Sequence, residues 1–128
     1  MEAYLDCGGG ISGDMALAAL AHLGVDFAPL VSALEKAGIA CHLDIRDELR
    51  AGGPGRCASV RWRQEEQPLR YPSDIAAIFT AVAVSAQVRD RALAVLDALT
   101  RAEAHAHQIP PENVHFHEVG AVDTLVDI

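Results

Sequence analysis

The chain has 128 residues, 51% of them hydrophobic but only six aromatic, which gives room for one domain built from closely packed, alanine-rich helices. A formal net charge of −8 excludes a basic nucleic-acid face, and no apolar run reaches membrane-spanning length. Three widely spaced cysteines, Cys7, Cys41 and Cys57, form no Cys-x-x-Cys pair and exclude a disulfide framework, so a reducing cytoplasm is expected.

In chain order, Ala3 to Cys7 reads as a short strand that runs into a triple-glycine loop. Ser12 is placed to cap a helix from about Gly13 to Leu23, with Met15, Ala19, Leu20 and Leu23 inward and Asp14 in its first turn. Asp26 can cap a second helix, about Phe27 to Ala37, whose apolar stripe is Leu30, Val31, Leu34 and Ala37. Alternating runs from Cys41 to Leu49 and from Cys57 to Arg63 flank a Gly/Pro-rich turn and predict a hairpin with a loop longer than two residues. Cys41 and Cys57 could face one another across it as core cysteines.

The charged, proline-containing stretch from Gln64 to Pro72 reads as a surface loop. Ser73 and Asp74 offer caps for a helix from about Asp74 to Ala83, with Ile75, Ile78, Phe79 and Val82 inward. The longest helix is expected over Ala86–His107, with Val88, Ala92, Val95, Leu96, Leu99, Ala102 and Ala106 on the 3.6 period. Val114 to Glu118 then reads as a strand, and Gly120 onward as the start of a helix. The sum is an α/β fold, mixed α+β being the variant: one helix-rich domain with a small sheet and a β-hairpin.

Chemistry gathers at the two ends. Four of the six histidines fall between positions 105 and 117. On a strand, His115 and His117 share a face opposite Val114 and Phe116, with Glu118 at its edge, an arrangement that suits nickel, zinc or iron-class metals. In the helix that follows, Asp123 and Asp127 stand four residues apart, as ligands or as acceptors that orient an imidazole. Two residues in a helix are about 200° apart, so His105 and His107 cannot both serve. His107 shares a face with Glu103 and is preferred, whereas His105 lines up with Arg101 towards solvent. At the other end, Asp6, Cys7, Gly10, Ser12, Gly13 and Asp14 form a glycine loop at a helix N-terminus. It has no P-loop lysine, and its two carboxylates suit a cation or a cation-bridged anion better than a bare phosphate. Cys7 reads equally as a soft metal ligand or as a small buried hydrophobe.

These two stretches resemble a known family, the nickel-insertion proteins of nickel-pincer cofactor biosynthesis called LarC. The family's opening motif Asp-Cys-x-x-Gly-Ile-Ser-Gly-Asp-Met is matched by Asp6, Cys7 and Gly10 to Met15. Its Val-His-Phe-His-Glu-Val-Gly-Ala-Val-Asp motif is matched by Val114 to Asp123, after a helix end matched by Glu103, Ala104 and His107. Gly8 and Gly9 depart from the family's usual Phe-Ser. The resemblance implies a lyase-class nickel chelatase, or cyclometallase, that inserts Ni2+ into pyridinium bisthiocarboxylic acid mononucleotide to complete the cofactor of lactate racemase. CTP, with Mg2+ or Mn2+, is consumed. It covers only the family's N-terminal region, so residues 1–128 are expected to be an N-terminal domain, or part of one, without the CTP-associated C-terminal region. The metal set expected is His115, His117, Glu118, His107 and Asp123. A homo-oligomer is a possible state, and nucleic acid and membrane are not expected partners. The rival reading is a non-catalytic metal-binding or assembly domain.

Overall fold

The computed structural model describes residues 4–50, 52–62, 71–116 and 122–128. The order of elements is α1 (Gly13–His22), α2 (Ala28–Lys36), β1 (Cys41–Arg50), β2 (Gly53–Trp62), α3 (Pro72–Ala81), α4 (Ala86–His107), a 3-10 turn (Pro111–Asn113) and α5 (Val122–Asp127). The fold is mixed α+β: helices around one two-stranded antiparallel hairpin.

Of the expected opening strand, Tyr4 to Cys7 has no regular structure and is exposed, while Ala3 lies outside the described residues. The hairpin is also tighter than expected. Its ladder runs without a break from Cys41 opposite Trp62 to Arg50 opposite Gly53. Gly53 adopts a left-handed φ of 115° where the chain turns back. Pro54 is tolerated opposite Leu49 because in a two-stranded sheet each strand is an edge.

Cross-strand pairs share a sheet face, so Cys41, Leu43, Ile45, Ala58, Val60 and Trp62 form the inner one. Cys57 pairs with Arg46 on the outer face, so the two hairpin cysteines are separated by the sheet and do not meet. Burial pushes the Cys41 thiol pKa up, and the negative charge of Glu35 adds to that effect, as for a neutral core thiol.

The inner sheet face packs with α1 and α2 in one core cluster, where Leu34 is 2% exposed. A second cluster joins α3 and α4 to Val114, Phe116 and Leu125, with Ile75 at 1%. Burying each such aliphatic side chain contributes about 1.5–3 kcal/mol. Ile39 and Ile78 touch both clusters, and α5 ties them together, with Leu125 in one and Val126 in the other.

Two helices are rotated from the expected faces. In α1 the buried residues are Leu17, Ala18 and Ala21, while Met15, Leu20 and Leu23 are exposed. The helix lies against β2, where Ala58 is itself buried, so small residues permit the close approach. In α4 the buried row is Ala92, Leu96, Thr100 and Ala104, one residue per turn, while Val88 and Val95 are exposed. Thr100 is accommodated there by donating its hydroxyl to the Leu96 carbonyl at 2.8 Å.

Caps fix the helix ends. In α3, Tyr71 occupies the cap position ahead of Pro72, and the Asp74 carboxylate accepts the Tyr71 N–H at 3.1 Å, so Ser73 lies inside the helix. At the other end of α4, Gln108 turns left-handed (φ 54°) and the Ile109 N–H reaches back to the Ala104 carbonyl at 3.0 Å. No described helix is long and apolar enough to cross a membrane.

Candidate metal centre

The opening loop is held by its own polar groups. Asp6 Oδ1 accepts the Gly8 N–H at 3.0 Å, and the Cys7 carbonyl accepts the Gly10 N–H at 2.8 Å, closing a turn that Gly10 leaves with φ 91°. Cys7 is exposed, which removes the reading of it as a buried hydrophobe. Ser12 stands at the cap position of α1, but its hydroxyl donates to the Asp14 carboxylate and does not accept a backbone N–H. Asp14 Oδ1 also accepts the Met15 N–H at 3.0 Å, putting negative charge in the first turn, where the helix dipole favours it.

The closing stretch meets this loop through α5. A Cβ built on Gly13 would fall 2.1 Å from Asp127 Cγ, so the Asp127 side chain lies directly against the first turn of α1. Gly13 is an ordinary helical residue without a positive φ, so what it supplies is space. The contact places a carboxylate at a helix N-terminus, the favourable end.

Val114 and Phe116 are buried at 2% and 3%, and His115 between them is exposed, as strand-like alternation requires. The His115 ring stacks on Tyr71 with centroids 5.7 Å apart and planes 25° from parallel. Its Nδ1 lies 3.3 Å from the Asn113 carbonyl. A proton on Nδ1 is donated there, and this tautomer makes Nε2 the nitrogen suited to a metal.

At the end of α4, His107 Nε2 lies 3.2 Å from Glu103 Oε2, the expected pair four residues apart. His105 is exposed on another face of the helix. His117 and Glu118 lie outside the described residues. Asp123 belongs to α5 by its backbone, and its side chain is likewise outside them. Among the described residues, no three His, Cys, Asp or Glu side chains converge as a cation site. The described histidines of the expected metal set are therefore tethered separately: His115 by Tyr71 and Asn113, His107 by Glu103.

Two features had no motif to announce them. Tyr71, in sequence only the end of a loop, is the aromatic platform for His115. Asp14 borders a cavity of about 230 Å3 together with Glu48, Arg56 and Cys57 from the hairpin. Arg56 closes the far end of α1, donating from Nη1 to the Ala21 carbonyl at 2.7 Å, with Nε 3.2 Å from Asp47 Oδ1. Only the cross-strand register brings these residues to α1, and loop chemistry does not reveal that register.

Fold and site together define a small α+β domain whose glycine loop at the start of α1 abuts the helix following a His-x-His-Glu stretch. The family model for nickel insertion proteins matches residues 3–128, and the chain belongs to that family. It is similar to a protein of Syntrophobacter fumaroxidans named for nickel insertion, 41% identical over 126 residues, covering 98% of this chain and 32% of that protein. Relatives of the same name in Citrifermentans bemidjiense (40% over 127 residues; 98% and 33% of the two chains) and Synechococcus elongatus (38% over 128 residues; 98% and 32%) agree. The chain thus spans about a third of the length of the curated relatives it matches. No solved structure matches it.

Proposed function

We propose that this chain receives Ni2+ as a substrate and presents it for insertion into an organic cofactor precursor. The observation that carries this reading is the family match across residues 3–128. In the proposal His115, His117 and Glu118 hold the ion, and His107 and Asp123 complete or orient the set. Imidazole and carboxylate donors suit nickel, and a hydrogen bond on the far ring nitrogen raises ligand basicity. The Asn113 carbonyl beside His115 Nδ1 and the Glu103 carboxylate beside His107 support those roles. The loop of Asp6, Cys7, Gly10, Ser12, Gly13 and Asp14 faces the precursor or the metal, and the Gly13–Asp127 contact supports its nearness to the closing stretch.

The precursor is pyridinium bisthiocarboxylic acid mononucleotide, which takes nickel through two sulfurs and one carbon. The product is the nickel-pincer cofactor of lactate racemase. CTP and its Mg2+ or Mn2+ belong, in this reading, to the part of the family protein outside the matched region, so the complete lyase-class reaction needs that part as well. Native mass spectrometry of the chain with Ni2+, with and without the precursor, tests the proposal. A one-to-one nickel adduct of this chain is expected, with transfer to the precursor only when the rest of the family protein and CTP are supplied. The absence of any nickel adduct refutes it, and CTP binding to this chain alone refutes the placement of the nucleotide.

A further inference from the structure

An apolar groove of about 240 Å3 opens where the helices converge. Leu17 and Leu20 of α1, Leu30 of α2, Phe79 of α3, Val88 of α4 and Leu125 of α5 line it. Leu20 is 40% exposed and Val88 52%, and Val95, two turns further along α4, is 49% exposed. Apolar side chains are thus open to solvent at the rim of the groove and further along α4, as at interaction sites.

A polar feature sits in the same groove. Arg89 lines it, and its Nε is buried with no hydrogen-bond partner. A buried guanidinium N–H left unpaired is costly, and a carboxylate is the group whose geometry matches the guanidinium fork. Asp127 lines the same groove but leaves the Arg89 Nε unpaired, so the groove suits an apolar segment whose acidic side chain reaches that N–H. The relatives supply a source, since this chain matches only 32% of the Syntrophobacter fumaroxidans protein.

We propose that the groove seats an apolar segment, with a carboxylate at Arg89, contributed by the part of a nickel insertion protein outside the region this chain matches. The docking face is formed by all five helices, α1 to α5, and the proposal does not depend on which residues hold nickel.

The test uses the full-length Syntrophobacter fumaroxidans protein with its matched region replaced by this sequence. A photo-crosslinking residue is placed at position 20 or at position 88, both exposed in the 128-residue chain. Crosslinks to peptides from outside the matched region are expected, with crosslink yield lowered at least several-fold by Arg89→Leu. Backbone hydrogen exchange around Leu20 and Val88 should be slower in the chimera than in the 128-residue chain. Crosslinks only to a second copy of the same region overturn the proposal, as do no crosslinks or unchanged exchange. Should the chimera not fold, the crosslinker-bearing 128-residue chain is offered overlapping peptides tiling the rest of the relative. Capture of an apolar, carboxylate-bearing peptide supports the docking face, and capture of none overturns it.

Discussion

Replacing Gly13 with alanine is expected to destabilise the protein although alanine is the better helix former. The new Cβ would lie 2.1 Å from Asp127 Cγ and Oδ2 and 2.6 Å from Asp127 Cβ. Rotating the aspartate side chain moves Cγ and Oδ2 but leaves Cβ in place, so relief requires α5 itself to shift. Overpacking of this kind costs about 1–3 kcal/mol. The helix-propensity gain from glycine to alanine offsets about 0.5–1 kcal/mol of that. The net expectation for Gly13→Ala is a loss of about 1 kcal/mol, the difference of the two mid-range terms. Asp127→Gly removes all three clashing atoms. In that background Gly13→Ala should become neutral or stabilising, by up to about 1 kcal/mol. Urea unfolding of the four chains closes the cycle. A neutral or stabilising Gly13→Ala in the wild type, or the same cost in both backgrounds, would refute the proposed contact between α1 and α5.

The other expectations can be checked on the same chain. Arg56→Ala removes the cation that donates to the Ala21 carbonyl at the end of α1, and should cost about 1–2 kcal/mol in urea unfolding, with Arg56→Lys recovering part of it. Under native conditions a thiol reagent should label exposed Cys7 quickly and buried Cys41 only on unfolding, which mass spectrometry of digested protein can resolve. Because burial raises the Cys41 pKa, the folded state holds that proton more tightly than the unfolded chain. The contribution to stability is full below the unfolded thiol pKa and falls as pH rises through the alkaline range above it. Cys41→Ala should flatten that alkaline slope in pH-dependent unfolding, and an unchanged slope would locate its origin elsewhere.

Much of the scaffold was legible because local chemistry and tertiary packing agree. The span of α4, Ala86–His107, follows from a serine cap and a long periodic run, and Ser85 Oγ does accept the Val88 N–H at 3.3 Å. The alternation of Val114, His115 and Phe116 was likewise readable from residue type, as was the Glu103–His107 pair. The inward face of α1 was not, because alanine and leucine occur all around that helix and its orientation is decided by the neighbouring β2. The opening run looked like a strand because apolar residues suit one, yet Tyr4 to Cys7 takes no regular structure. Tyr71 could not have been assigned from spacing, since it matters through His115, far away in sequence; Asp127, singled out for its spacing from Asp123, lies instead against Gly13.

Calorimetric titration of Ni2+ into the 128-residue chain and into its His115→Ala/His117→Ala variant bears most directly on the nickel-holding role. The wild type is expected to bind with a Kd well below about 1 mM, and the double variant at least about tenfold more weakly, a difference of about 1.4 kcal/mol. Binding no tighter than about 1 mM by the wild type, or equal affinity in the two proteins, would contradict the assignment of nickel to the closing stretch.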